Sequence, residues 1–302
     1  MILILSGVIK TKRILKYILL LLILFILLIS GVYAYKNYYS SSNSQYDPKQ
    51  KISFVSVGDS LTQGVGDNTN SGGYVNRIKD KFVNDKNAKL NVYNYGIAGQ
   101  RTDQIDKRII NNTNGLLTHI KHSNAVILTS GGNDLLQALQ KNALVNDKDE
   151  FNKNMTVNLA NYKDNLSSLI KHIRNINKKI PIYIFSVYNP VYVYFPKVHA
   201  IENYVSKYND IIDNESSNQK WIHFVNINSL SYGQYRTERQ KNKLLESSDD
   251  SFNPLSLDDL YSNEKELNEY LSSKDHFHPN SKGYDFMTNK LFKIMEKYND
   301  WY

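Results

Sequence analysis

The sequence predicts an α/β fold in which a parallel five-stranded sheet is covered by helices on both faces. Three observations lead there. Five short runs rich in β-branched and aromatic residues recur along the chain, at 52–57, 90–95, 125–129, 182–187 and 221–225. Amphipathic segments with helical spacing separate them. The first three runs stop at glycine-bearing turns: Gly58-Asp59-Ser60, Gly96-Ile97-Ala98-Gly99 and Gly131-Gly132-Asn133-Asp134. Strands that alternate with helices imply right-handed crossovers and hence a parallel sheet.

Each element has its own signal. The run 52–57 reads as a buried strand, and Tyr74, Val75, Ile78, Phe82 and Val83 mark a helix after it. Residues 90–95 alternate like a second strand, and Thr102-Asp103 caps a helix carrying Ile105, Ile109 and Ile110. A third strand at 125–129 precedes Leu135, Leu136 and Leu139. A long helix at 151–177 turns Met155, Leu159, Tyr162, Leu166, Leu169, Ile170 and Ile173 inward. Pro181 leads into strand four, a helix follows at about 197–214, and strand five is 221–225. Residues 229–272 break the rhythm, being polar with scattered anchors at Leu244, Phe252, Leu255, Leu257 and Leu260. A long irregular insertion in a compact domain is commonly functional, so a lid beside the site is expected, with a plain surface excursion as the alternative. A last helix spans about 281–298.

The amino terminus is of another kind. Lys10, Lys12, Arg13 and Lys16 precede an apolar run in which, from 14 to 34, only Lys16 is charged. That length crosses a bilayer as a helix, and the basic flank keeps the first residues cytoplasmic. The expected organisation is a basic amino terminus (1–13), a transmembrane anchor or uncleaved signal (14–35), a Ser-rich linker (36–50) and an α/β domain (51–302). A cleaved signal peptide is the alternative, with Val32 and Ala34 as small residues before the cut. Either way the domain lies outside the cytoplasm.

The 302 residues contain no cysteine, which excludes disulfides, thiolate metal sites and cysteine nucleophiles. The net charge of +8 is partly the anchor's. Four of the 37 basic residues and none of the 29 acidic ones precede residue 17, leaving 33 against 29, or +4. That excess, without a basic run, argues against nucleic-acid binding.

In a doubly wound sheet the tips of strands one, two and three lie on one edge, around a shared crevice. Ser60, Gly99 and Asn133 follow those three tips, and Asp275 with His278 stands near the end of the chain. A serine hydroxyl needs a base, which imidazole supplies. The imidazole needs an orienting carboxylate, available at Asp275. An oxyanion needs donors, which the N–H groups of Ser60 and Gly99 and the amide of Asn133 can provide. Alternatives remain at this level. Gly58-Asp59-Ser60 also fits an ordinary turn, Asn133 and Asp134 fit a helix cap, and His276 with His278 fits half of a metal site lacking further ligands. Asp59 is expected to hold the turn. His119, His122, His172, His199 and His223 have no partner motif.

Together these blocks resemble the SGNH hydrolase (GDSL esterase/lipase) superfamily. Ser60 stands in Gly-Asp-Ser-Leu, Gly99 closes Asn94-Tyr95-Gly96-Ile97-Ala98-Gly99, Asn133 lies in Gly-x-Asn-Asp, and Asp275 and His278 form Asp-x-x-His-Pro. The four occur in family order across 52–290. The resemblance implies a flavodoxin-like three-layer α/β/α sandwich and serine esterase chemistry through Ser60, His278 and Asp275, with no metal or other cofactor. It is nearest to the membrane-anchored, lysophospholipase-like bacterial branch. The Gly-x-Ser-x-Gly elbow of the α/β-hydrolases is absent.

Tyr188, Tyr192, Tyr194 and Phe195 follow strand four and suit the wall of an acyl pocket, or else general packing. The expected substrate is an acyl ester, a lysophospholipid or other lipid ester first, an O-acetylated extracellular carbohydrate second. A catalytically idle membrane-tethered binding module is the alternative of another class.

Overall fold

The computed structural model describes residues 30–32, 52–86, 89–248 and 266–301. Among them no helix is long and apolar enough to cross a membrane. The expected span at 14–35 lies outside the described residues apart from 30–32, as do the linker and the anchors Phe252, Leu255, Leu257 and Leu260.

Five strands form one parallel sheet in the order β2-β1-β3-β4-β5. They are β1 (Ile52–Gly58), β2 (Leu90–Gly96), β3 (Ala125–Leu128), β4 (Ile182–Phe185) and β5 (Ile222–Val225). The helices are α1 (Ser60–Gln63), α2 (Gly73–Lys86), α3 (Thr102–Ile110), α4 (Leu116–His122), α5 (Gly132–Lys141), α6 (Lys148–Ile176), α7 (His199–Asn218), α8 (Glu238–Ser247) and α9 (Ser281–Tyr298). The order reverses at β1, which pairs with β2 on one side and β3 on the other. That reversal is the flavodoxin-like switch point, where such sheets open a crevice beyond the strands' carboxyl ends.

Side chains alternate across the sheet. Val55, Val57, Val126, Leu128, Ile182 and Ile184 face one layer, where they meet Ile105 and Ile109 of α3, Leu116 and Ile120 of α4 and the apolar stripe of α6. Opposite them, Phe54 meets Phe82 of α2 edge to face at 5.2 Å. Phe82 in turn meets Phe292 of α9 at 5.2 Å and Trp301 at 4.7 Å. Strands β1, β3, β4 and β5 are buried on both faces, which is why they read as continuous apolar runs, whereas the edge strand β2 is half-exposed and alternates.

The structure departs from the sequence reading at three places. Helix α4 was not expected: Asn112, Asn114 and Gly115 adopt left-handed conformations before it, and their string reads as loop. Within the insertion, 238–247 is a helix, opened by a capping box between Thr237 and Gln240. Thr102 is the first residue of α3 rather than its cap, and Arg101 N–H donates to Gln104 Oε1 at 2.9 Å.

Candidate active site

Helix α1 is a single turn, with Ser60 first and only 7% exposed. Asp59 caps it, its Oδ1 accepting from Leu61 N–H at 3.0 Å, and Gly64 ends it in a left-handed conformation (φ 90°). β1 reaches this turn through Gly58, where a Cβ would lie 2.1 Å from Thr129 Oγ1. Glycine therefore lets the tips of β1 and β3 close on each other.

Behind the turn runs a buried chain of hydroxyls. Thr129 donates to Asp59 Oδ1 at 2.8 Å, so its other neighbour, Thr62 at 2.8 Å, must donate to it. Tyr74 then donates to Thr62, again at 2.8 Å. Burial pushes the Asp59 carboxyl above its usual range, against the opposing pull of Thr129 and Leu61 N–H.

The β2 turn is fastened to the same helix. A Cβ on Gly96 would lie 2.1 Å from Gln63 N, and Gln63 Oε1 accepts from Ala98 N–H at 2.7 Å. Asn94 donates to the Thr62 carbonyl at 2.8 Å. Gly99 takes φ 79° and has open space where a side chain would project.

Asn133 and Asp134 both lie in the first turn of α5, and neither side chain caps it. Asn133 Nδ2 donates to the Gln100 carbonyl at 3.0 Å, while Asp134 Oδ2 accepts from Thr102 N–H and Oγ1–H at 3.0 and 2.9 Å. Both thus tie the β3 turn to the β2 turn.

Asp275 and His278 share a turn between the insertion and α9. Asp275 Oδ1 accepts from the N–H groups of Phe277 and His278, each at 3.0 Å, and Oδ2 lies 2.8 Å from His278 Nδ1. His278 Nε2 stands 2.9 Å from Ser60 Oγ. Burial would raise the Asp275 carboxyl, but hydrogen bonds from the His278 ring and from the turn's N–H groups outweigh it and hold it below the usual range. An ionised Asp275 fixes the tautomer: Nδ1 carries the proton and Nε2 offers its lone pair to Ser60. Such a series can draw a proton from a hydroxyl as the oxygen attacks a carbonyl.

The residues expected as pocket wall are placed as follows. Tyr188 is buried and donates to the Phe277 carbonyl at 2.7 Å, and Tyr194 donates to Glu266 Oε1 at 2.6 Å. Tyr192 packs with Val193 and with Leu244 of α8, its ring edge-on to Tyr232 at 4.8 Å. Phe195 is half-buried. His276 turns from His278 toward Glu266, and among the described residues no three His, Asp or Glu side chains gather as a metal cluster. Three of the unassigned histidines are partnered: His119 stacks on Tyr93, His172 pairs with Asp106, and His223 with Asp300. Thr62, Thr129 and Glu266 were not singled out from sequence. Thr62 stands two residues beyond Ser60, whereas Glu266 sits in a polar run with no local signal.

A five-stranded parallel sheet in this order, with a Ser–His–Asp series at its switch point, defines a hydrolase of the SGNH class. This chain belongs to the GDSL-like lipase/acylhydrolase family, which matches residues 56–286, and is a carboxylic ester hydrolase. It is 25% identical over 245 residues to the spore germination lipase LipC of Bacillus licheniformis, covering 80% of this chain and 94% of that one. The lipase Lip_vut3 from a goat rumen metagenome superposes with a TM-score of 0.61 at 23% identity, over 80% of this chain and 97% of that one. A catalytic mutant of the acetylxylan esterase Axe2 from Geobacillus stearothermophilus gives 0.51 at 15% identity, over 83% and 96%. These two likenesses concern the fold.

Proposed function

We propose that this protein is a membrane-anchored, extracytoplasmic serine esterase that hydrolyses lipid acyl esters, lysophospholipids among them. The observation that carries the chemistry is the unbroken series from Ser60 Oγ through His278 to Asp275, at 2.9 and 2.8 Å. Ser60 Oγ attacks the ester carbonyl while His278 Nε2 takes its proton. Asp275 holds the imidazolium that results. The oxyanion is met by the N–H groups of Ser60 and Gly99 and by Asn133 Nδ2, whose second hydrogen is not the one given to Gln100. The C–O bond to the alcohol breaks as His278 returns the proton to it, leaving an acyl-enzyme on Ser60. Water, deprotonated by His278, then attacks the acyl carbon, and Ser60 leaves with the proton restored.

The lipid assignment is supported by kinship with a protein named a lipase and by the amino-terminal apolar run, which would keep the domain 51–302 beside a bilayer. Tyr188 and Glu266 contact the Asp275–His278 turn through Phe277 and His276, and the aromatic residues at 188–195 would line the path of an acyl chain beside it.

The test uses full-length protein in detergent and its Ser60→Ala variant, with p-nitrophenyl esters from acetyl to palmitoyl and a fluorophosphonate probe. Labelling at Ser60 with turnover rising toward longer chains is expected. Turnover confined to acetyl would move the substrate to an O-acetylated carbohydrate. A folded protein with neither labelling nor Ser60-dependent turnover would leave a binding module.

A further inference from the structure

The Asp275–His278 turn contains a second histidine whose ring is directed away from Ser60. His276 is 4% exposed and adopts φ 52°, the left-handed region that residues with a Cβ seldom occupy. Its N–H donates to the Ser272 carbonyl at 2.8 Å, and its Nδ1 lies 2.6 Å from Glu266 Oε2.

Glu266 comes from the insertion and is itself held on several sides. Its Oε1 accepts from Tyr194 Oη at 2.6 Å and from Asn268 N–H at 2.6 Å. Tyr194 Oη in turn accepts from Leu267 N–H at 3.2 Å and lies 3.0 Å from His276 Nδ1. Asn268 is wholly buried and donates to the Leu230 carbonyl at 2.8 Å. One carboxylate therefore joins three segments: the loop after β4, the insertion, and the turn carrying Asp275 and His278.

We propose that Glu266 and His276, seconded by Tyr194, are positioning residues that keep the Asp275–His278 turn in register with Ser60. The reasoning is geometric. A left-handed residue between Asp275 and His278 sets the direction in which both side chains leave the turn. That conformation is uncommon for a residue with a Cβ, though histidine adopts it more readily than most, and the contacts around His276 hold it there. The Glu266 carboxylate is the contact that grips the ring. Without it the turn can relax toward ordinary backbone angles, and His278 Nε2 moves off the line to Ser60 Oγ. A displacement of about 1 Å at a reacting group can cost on the order of 10²-fold in rate.

The proposal rests on Ser60 being the nucleophile, so the test reads both. Full-length wild type, Ser60→Ala, His276→Ala, Glu266→Ala and their double variant are labelled with a fluorophosphonate, after thermal melts establish that each is folded at the assay temperature. Wild type labels and Ser60→Ala does not; failure there would overturn the nucleophile assignment itself. His276→Ala and Glu266→Ala are each expected to label about 10- to 100-fold more slowly, with kcat falling and KM little changed. The double variant should fall no further than the worse single, because the two act as one unit.

His276→Asn discriminates further. Asparagine tolerates the left-handed region and its amide nitrogen approximates Nδ1, so labelling should return to within about threefold of wild type. Folded alanine variants that label at the wild-type rate would overturn the proposal, as would His276→Asn behaving like His276→Ala. If the alanine variants do not fold, Tyr194→Phe removes one hydroxyl without leaving a gap. A loss of about three- to tenfold in labelling is then expected, and an unchanged rate would overturn the clamp.

Discussion

The two sides of the site are built from different material. Ser60 stands two residues beyond β1, on a turn whose supports come from regular elements: Thr62 from α1, Tyr74 from α2, and Thr129 one residue past β3. The histidine side has no strand beneath it. Its turn is gripped by Tyr188 through the Phe277 carbonyl, by Glu266 through His276, and by Gly66, where a Cβ would lie 2.7 Å from that of His278. The sheet thus fixes Ser60, the proposed nucleophile, while loops and one insertion fix His278, the proposed base.

The contrast extends to the two aspartates. Asp59 is adjacent to the serine, yet burial raises its carboxyl and its Oδ1 takes hydrogen bonds from Thr129 and Leu61 N–H. Asp275 is distant in sequence, and its carboxyl is held low by the His278 ring. Of the two, only the distant Asp275 bonds to the His278 imidazole, which is what the proposed role of triad acid requires.

The largest expected effect cuts across both sides. Ser60→Ala and His278→Ala should each reduce kcat by about 10⁴-fold or more with melting temperature preserved, measured on a short-chain p-nitrophenyl ester. Next comes the comparison of carboxylates. Asp275→Asn removes the acceptor that fixes the His278 tautomer and should cost on the order of 10³- to 10⁴-fold. Asp59→Asn keeps an acceptor oxygen for Thr129 and Leu61 and should cost no more than about tenfold. Equal losses would mean that Asp59 shares the acid's role. Asn133→Ala, which removes one oxyanion donor and the bond to Gln100, should lower kcat about 10²- to 10³-fold.

A smaller effect tests the hydroxyl chain. Thr129→Val has nearly the same shape but leaves Asp59 Oδ1 and Thr62 without their buried partner. A loss of about 1–3 kcal/mol in unfolding free energy is expected from urea titration. Retention of full stability would show the chain to be dispensable.

The same division explains what could be read from the sequence. Four of the strands were legible because double-sided burial writes them as apolar runs, the edge strand β2 because it alternates, and Ser60, Gly99 and Asn133 because each follows a strand tip. The supports of the nucleophile were partly legible, since Thr62 lies one helical turn from Asp59. The supports of the histidine were not. Glu266 meets partners 10 and 72 positions away, and nothing in its polar neighbourhood marks it. Helix α8 escaped notice because only Leu244 of it is buried, so it lacks an apolar stripe. Its capping box was the signal that could have found it.

The smallest expected effect concerns the sign of two titrations. Burial would raise Asp67, but Arg77, Thr69 and Gly73 N–H together hold its carboxyl well below the usual carboxylate range. Its ionised form is therefore favoured by folding. That contribution is fully present above the unfolded value of about 4 and is lost as pH falls from there toward the folded value. Asp59 runs the other way: folding favours its protonated form, so its contribution grows as pH falls through the raised folded value toward about 4. Melting temperatures of wild type, Asp67→Asn and Asp59→Asn between about pH 3 and pH 7 separate the two. Wild type should gain on Asp59→Asn as pH falls from neutrality, then lose ground against Asp67→Asn below about pH 4. Parallel curves for wild type and Asp59→Asn would mean that Asp59 is ionised as easily in the fold as in the unfolded chain. The buried hydroxyls would then stabilise its charge as well as water does.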